Sequence, residues 1–375
     1  MSRRILIVAG ETSGDAHGAR LAAALRALDG TVDLTGMGGE RMRAAGVKTI
    51  VDAGELSVMG FAELVGRVTR VFTAYRTLSR ALRAKPRPDL LVLIDFPDFN
   101  LRLAAAARRA GVRVLYYVSP QVWAWRQGRI AKICRRVDRM IVLFPFEEEI
   151  YRGRGLDARF VGHPVAEQVR ATRSPAETRR RWGLPESGPL VVLLPGSRAK
   201  EVKYILPVML GAAQLLSGRA SFAVAKAPGL DAEGLRRAVA QSGLHIAIVE
   251  DDTYNLVAAA DAAAVTSGTA TVECAVLGCP MVVVYRMSRL THAIARRLVR
   301  VPFIAMPNII LQDRVVPELI QDDATPDAVA SELARYLDSP QHRDATSKRL
   351  SDVRARLVRP GSAERAARLA LEMIA

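Results

Sequence analysis

Two carboxylates three residues apart stand at the end of an apolar run in LVLIDFPDFN, residues 91–100. A carboxylate at the rim of a cleft can take a proton from a hydroxyl. A carboxylate at the start of a helix can instead cap its unpaired N–H groups. Pro97 cannot continue a sheet ladder, so it ends the strand, and it biases Phe96 toward an extended backbone. Asp98 and Asn100 then fall where the next helix begins. Local pattern alone favours the cap for one Asp. It leaves the pair of carboxylates around Phe-Pro without a reason.

Four more strand exits carry residues that could act on a ligand. In AGETSGDAHG the glycines at 10, 14 and 18 are four apart, which is not the GxGxxG spacing of a dinucleotide site, although Asp33 comes roughly on schedule. Glu11, Ser13 and Asp15 offer polar contacts to a ligand close to the backbone. A plain turn with Asp15 near a helix N-terminus fits equally well. YYVSPQVWAWR places Trp123 and Trp125 beside Arg126, either as a binding wall or as packing for the following helix. VVLLPGSRAKEV lacks the GK[ST] of a Walker loop. Gly196 and Ser197 would leave N–H groups free there, and Arg198 can grip an anion at two points. In VTSGTATVECAVLG, Ser267, Gly268 and Thr269 lead into a helix that Gly278 closes. A helix start rich in small hydroxyl residues suits a phosphate, and Glu273, just over a turn further, can reach a ribose diol. Together these read as a nucleotide-diphosphate pattern, against a plain capped helix.

The elements that must position these residues follow from periodicity. RILIVAG, LLVLID, RVLYYVS and RMIVLFP are short buried-strand runs, and amphipathic stretches such as GARLAAALRAL lie between them. PLVVLLPGS, ASFAVA, LHIAIVE, AAAVTSG and PMVVVYR repeat the rhythm. Apolar strands alternating with helices imply parallel sheets covered on both faces. The rhythm breaks near residues 163–186, where Ser174, Pro175 and Glu177 form a capping-box pattern. The expected architecture is two doubly wound Rossmann-like α/β domains, 1–170 and 171–340, with a cleft between them. Residues 341–375 form a helical segment that could pack back on the first domain. Ligands of such sheets sit at the carboxyl ends of the strands.

Composition sets the outer limits. The chain has 375 residues, enough for two sizeable cores, and 54 Lys and Arg against 38 Asp and Glu give a net charge of +16. That excess suits nucleic acid, an anionic membrane or a polyphosphate ligand. The arginines are dispersed through helices and no RNP, KH or zinc motif occurs, so nucleic acid is not expected as a partner. Cys134, Cys274 and Cys279 form no CxxC pair and no metal-spaced cluster, so no metal is expected and reduced buried thiols are. The apolar run after Arg3-Arg4 stops at Gly10-Glu11, too short for a signal peptide, and no stretch approaches the roughly 20 residues that span a bilayer.

GETSGD, DFPDFN, YYVSPQVWAWR, GHP, LPGSR, SGTATVEC and MPN occur in this order. Together they resemble the lipid-A-disaccharide synthase family, inverting glycosyltransferases of the two-domain GT-B type, from about residue 5 to residue 320. The resemblance implies a UDP-2,3-diacylglucosamine donor and a 2,3-diacylglucosamine 1-phosphate acceptor. The products would be a β-1,6-linked disaccharide 1-phosphate and UDP, with no metal or other cofactor. It implies Asp98 as the base for the acceptor hydroxyl, Glu11 as an acceptor-side carboxylate, and Asp95 as a structural residue. Arg198 and Thr269 would face the donor pyrophosphate, Glu273 the ribose, and Asn308 the donor. Ser13, Asp15, Asn100, Trp123, Trp125 and Arg126 would line the acceptor side. Gln312-Asp313 and Lys226 depart from the family pattern on the donor side. Relatives can be dimeric, which sets a homodimer as the assembly to test.

Acylated substrates require contact with a membrane, so the expected location is cytoplasmic and peripheral to the inner membrane. In residues 60–84, Phe61, Leu64, Val65, Val68, Phe72, Tyr75, Leu78 and Leu82 follow helical spacing among Arg67, Arg70, Arg76, Arg80 and Arg83. A basic amphipathic helix can lie on anionic lipid, or simply turn its stripe into the core. Residues 289–303 are a second candidate. The competing readings are another GT-B UDP-GlcNAc-dependent transferase with a different lipid acceptor, and a nucleotide-sugar epimerase.

Overall fold

The structure, a computed structural model, describes residues 2–54, 64–123, 128–298 and 301–375. The chain divides into two compact units. One is Met1–Glu167 together with Arg359–Ala375, and the other is Gln168–Val358.

The first unit is built on a parallel sheet of β1 (Arg4–Ala9), β2 (Asp33–Gly38), β3 (Lys48–Asp52), β4 (Leu90–Ile94), β5 (Arg113–Tyr117), β6 (Arg139–Val142) and β7 (Asp157–Phe160). Their order is β3-β2-β1-β4-β5-β6-β7. All five residues of β4, LLVLI, are buried, as a strand covered on both faces requires. The order reverses between β1 and β4. Their ends are in register, with Ala9 opposite Ile94, so the residues that follow both strands emerge side by side. This is the switch point at which doubly wound sheets bind ligands.

The helix Thr12–Leu28 buries Leu21 and Leu25 against this sheet. The last helix, Ser362–Glu372, buries Ala366, Ala367 and Ala370 in the same core. Glu167 ties that helix down by accepting from the backbone N–H of Gly361 (2.6 Å) and of Ser362 (3.2 Å).

The second unit holds β8 (Leu190–Leu194), β9 (Ser221–Lys226), β10 (Ala247–Glu250), β11 (Ala262–Thr266), β12 (Met281–Tyr285) and β13 (Glu318–Ile320), all parallel. Their order is β10-β9-β8-β11-β12-β13, and the reversal lies between β8 and β11. Leu194 stands opposite Val265, so the PGSR and SGT exits are again neighbours. The capping box opens the helix Pro175–Arg181. Ser174 Oγ accepts from Glu177 N (3.3 Å), and the Glu177 carboxylate accepts from Ser174 N (2.8 Å).

The segment from residue 341 onward divides. Pro340–Leu357 belongs to the second unit, where Leu350, Val353 and Leu357 are buried, and only the final helix belongs to the first. Cys134, Cys274 and Cys279 are free thiols.

Candidate active site

At the β1/β4 switch point the backbone is strained. Asp95 and Phe96 both lie in the left-handed region, at φ 47° and 44°. Neither is glycine, and each such residue costs about 1–3 kcal/mol, so the surroundings must hold it there. Here they do. The Asp95 carbonyl accepts from Tyr116 Oη (2.5 Å) and from Asn100 Nδ2 (2.7 Å). Asn100 Nδ2 also reaches the Ile94 carbonyl at 3.1 Å.

The extended backbone expected at Phe96 is therefore corrected to a left-handed one. The chain must turn at once from strand to helix, and the Phe96 ring lies over Gly10. A β-carbon on Gly10 would come within 2.4 Å of that ring, so glycine is required there.

Asp98 neither caps the helix nor is buried. The N-cap position is Phe96, and Asp98 sits in the first turn of Pro97–Arg109. Its side chain is 76% exposed and pairs with Arg129 at 2.6 Å. Asp95, expected to be merely structural, is the less exposed of the two, half-buried at the strand exit. Burial is the main cause that lifts its pKa to about 6, and the negative charge of Glu11 adds to it. Such a carboxylate is poised to exchange a proton near neutral pH. Burial also drives His17 and His163 down to about 4, so both stand neutral there.

Two of the expected acceptor-side residues turn out to be internal braces. Asn100 is completely buried and holds the strand exit, so it does not line a cleft. Asp15 is buried too. Its carboxylate accepts from the N–H groups of Gly39 (2.6 Å), Arg41 (3.1 Å) and Met42 (3.2 Å), which caps the short helix Glu40–Ala44. Glu11 and Ser13 are exposed at the start of the first helix. Trp123 Nε1 donates to Glu147 (3.2 Å), and its ring meets Phe146 edge-on at 5.2 Å. Glu147 is buried, which raises its pKa to about 7, and its carboxylate accepts from Leu143 N and Phe144 N. Trp125 and Arg126 lie outside the described residues.

The brace at Asn100 is open to test. Asn100→Leu leaves the Ile94 carbonyl without its side-chain donor and the Asp95 carbonyl with Tyr116 alone. It should destabilise the protein by about 1–3 kcal/mol, read as a lower midpoint in urea with unchanged slope.

In the second unit the expected phosphate loop carries its own anion. Glu201 accepts from Ser197 N (3.0 Å) and Arg198 N (3.2 Å), and pairs with the Arg198 guanidinium at 2.8 Å. Of the two N–H groups expected to be free, that of Ser197 is thus occupied by a carboxylate. Gly196, at φ 116°, makes room, since a β-carbon there would lie 2.6 Å from Glu201 Oε2. The Arg198 side chain is 80% exposed and keeps the rest of its fork toward solvent.

At the neighbouring exit Gly268 and Thr269 are exposed at the start of the helix Thr269–Val276. Ser267 Oγ donates to the Ile304 carbonyl at 2.8 Å. Glu273 is half-buried, accepts from Tyr254 Oη at 3.2 Å, and has its pKa raised by burial.

Asn308 is corrected from a donor contact to a brace. It is wholly buried. Its Nδ2 donates to the Val316 carbonyl and to Glu318, and its Oδ1 accepts from Val315 N and Val316 N. An amide can make four hydrogen bonds, and all four are used. The departures from the family pattern are likewise satisfied internally. Lys226 pairs with Glu250 at 3.3 Å, and Asp313 pairs with Arg349 at 2.9 Å. Among the described residues no group of three or more His, Cys, Asp or Glu could hold a metal ion.

Two doubly wound parallel sheets, each with polar groups gathered at its switch point, define the GT-B class of α/β protein. Solved structures of that class share the fold. CalG4, the calicheamicin glycosyltransferase, aligns with TM-score 0.60 over 100% of this chain and 98% of its own, at 14% identity. UDP-GlcNAc 2-epimerase from Neisseria meningitidis, bound to UDP-GlcNAc, aligns with TM-score 0.65 over 99% and 100%, at 10% identity.

Within the class, the chain belongs to the lipid-A-disaccharide synthase family, whose sequence model, described as lipid-A-disaccharide synthetase, matches residues 5–373. It is 46% identical over 376 residues to the lipid-A-disaccharide synthase of Geobacter metallireducens, covering 100% of this chain and 98% of the relative. It is 43% identical over 374 residues to that of Myxococcus xanthus, covering 99% and 97%. The chain is thus a glycosyltransferase.

Proposed function

We propose that this enzyme joins two acylated glucosamine units, transferring the sugar of UDP-2,3-diacylglucosamine to the 6-hydroxyl of 2,3-diacylglucosamine 1-phosphate. The match of nearly the whole chain to one family carries this reading. The switch-point geometry supports the following mechanism. Asp95 takes the proton of the acceptor hydroxyl as that oxygen bonds to the anomeric carbon of the donor. The bond from that carbon to the UDP oxygen breaks, and UDP leaves with the electron pair. A single base suffices for inversion by direct displacement. The charge that develops on the leaving phosphate is met by Arg198 and by the N-terminus of Thr269–Val276. Glu11 keeps Asp95 a stronger base by its negative charge. The reaction is proposed to need no metal.

Purified protein, donor and acceptor, run with and without EDTA and read by mass spectrometry, test this directly. The disaccharide 1-phosphate should form at equal rates in both. Absence of product across several detergents and acyl lengths would transfer the assignment to another lipid acceptor.

The pH profile follows from Asp95. It must be ionised to act, so kcat/KM should rise with pH and level off above about 6, the pKa set by its burial and by Glu11. Glu11→Gln removes a negative neighbour and should move that midpoint to lower pH. A midpoint that moves upward, or stays fixed, would contradict the role given to Asp95.

Binding at a membrane surface is proposed through the helix Leu64–Ala81. Leu78 is buried there, whereas Phe72 is 57% exposed with Arg76 over its ring at 5.6 Å. Among the described residues no helix is long and apolar enough to cross a membrane. An exposed aromatic among cations suits an anionic lipid surface. Phe72→Asp should release the protein from sedimenting anionic vesicles at low salt. Equal sedimentation of both proteins would remove this helix from the interface. Phe61, earlier in the stripe, lies outside the described residues.

A further inference from the structure

Beside the β1/β4 exit the first unit holds a cavity of about 690 Å³. Its lining is mostly apolar, with Phe72, Tyr75, Phe96, Phe99 and Ala105 contributing. The aromatic rings form a continuous wall. Tyr75 meets Phe99 edge-on at 6.2 Å, and Phe99 meets Phe96 at 5.4 Å. The cavity therefore starts at Phe96, the residue next to Asp95.

Its polar groups are unequal in sign. Arg102, Arg109 and Arg136 line it with a single carboxylate, Asp98, which Arg129 already neutralises. Arg102 is exposed and has no ion-pair or hydrogen-bond partner among the described residues. Arg109 spends only Nε, on the Ala105 carbonyl at 3.1 Å. Residues 102, 105 and 109 share one face of the helix Pro97–Arg109, because they are three and four apart. The small side chain of Ala105 thus leaves a gap between two arginines, open to the aromatic wall. An apolar slot of this size with guanidinium groups at its edge suits an amphiphile with one chain and one anionic oxygen cluster.

We propose that this cavity holds an acyl chain of the phosphorylated sugar acceptor, with Arg102 and Arg109 receiving its phosphate. The proposal rests on the transferase reading above and names the part of the acceptor that is read. The chain would anchor in the slot while the sugar lies toward Phe96 and Asp95. Chain burial would then set acceptor affinity, at about fourfold per methylene. The occupant is a substrate chain. A membrane phospholipid held by the same arginines is the other source of that chemistry, and the assay separates the two.

Acceptors of graded acyl length, with and without the 1-phosphate, would be assayed in neutral detergent against wild type, Ala105→Trp and Arg102→Ala. Shortening the chain by two methylenes should raise the wild-type acceptor KM about fifteenfold. Ala105→Trp fills the gap and should flatten that dependence, with its loss greatest for the longest chains. Arg102→Ala should raise KM about tenfold for the phosphorylated acceptor only, with donor KM unchanged. Full chain-length dependence in Ala105→Trp would overturn the proposal. So would an Arg102→Ala effect that ignores the phosphate, or one that emerges only when anionic vesicles are added.

Direct binding keeps the two readings apart. A pyrene-labelled lysophosphatidic acid, below its critical micelle concentration, serves as the probe. Probe binding weakened by both variants supports the cavity even if no disaccharide is formed. Disaccharide formation with probe binding indifferent to both variants would leave the reaction standing and refute the cavity.

Discussion

Asp95→Asn should lower kcat/KM by about 10²–10⁴-fold, the range that a positioned base contributes. Asn keeps the shape and the strained turn but cannot take a proton. Asp98→Asn, three residues on, should cost less than about fivefold, since it breaks an exposed ion pair worth at most about 1 kcal/mol. The comparison decides between the two carboxylates, because the opposite ranking would return the base to Asp98.

Stability supplies a second, independent readout. The folded pKa of Asp95 is raised to about 6, above its ordinary value of 3.8. The stability linked to its protonation is therefore full below about pH 4 and is lost as the pH rises through about 6. An asparagine carries no such dependence. Asp95→Asn should be more stable than wild type by about 3 kcal/mol at pH 8, and the gap should close toward pH 4. Loss of activity together with a gain in stability is the signature of a functional group held against its own preference. A variant that loses both would mark Asp95 as structural.

Arg198→Ala should lower kcat by about 10²–10³-fold, the effect of deleting one preorganised group that faces developing charge. Arg198→Lys should recover only part, because an ammonium cannot make the two-point contact with a phosphate. Unfolding should move by less than about 0.5 kcal/mol in either variant, since the side chain is 80% exposed. The Glu201 carboxylate already occupies two N–H groups of this loop, so phosphate and Glu201 compete for the same donors. If Arg198→Ala leaves kcat intact and raises only the donor KM, the arginine binds the donor uniformly and does not stabilise departure of UDP.

Much of the fold was legible because buried parallel strands are written as near-continuous apolar runs. LLVLI and the run LVVLL of β8 could hardly be anything else. The capping box at Ser174 is a local pattern, and it formed as local chemistry dictates. Strand exits were found for the same reason.

What each side chain does at an exit depends on depth, and depth is a tertiary quantity. DFPDF offers two identical carboxylates. Asp95 immediately follows the buried β4, and that adjacency was the available signal for desolvation. The family motif instead points to Asp98 as the base, and the helix start reads it only as a cap. Asn308 and Asp15 show the same limit. Short polar residues beside glycine or proline read as ligand contacts, yet both are consumed by backbone groups, distant in sequence for Asp15 and seven to eight residues on for Asn308. Glu201 carries a detectable signal, an acid three residues after the position that opens its helix, but the loop also reads as free N–H groups beside a cation. The apolar cavity had none, since its wall is assembled from two helices and a strand exit.

The closing helix of the first unit also has a consequence in time. Ala366, Ala367, Ala370 and Met373 complete a core whose other buried residues all precede Glu167. On the ribosome that core stays open while the whole of Gln168–Val358 is made, on the order of 10–40 s of synthesis. The second unit is contiguous, so it is the first to have every residue of its core available. The half of the enzyme that begins the chain is the last to be finished, and until then a nascent chain presents the uncovered faces of Leu21, Leu25 and Ile141 to whatever chaperone is at hand.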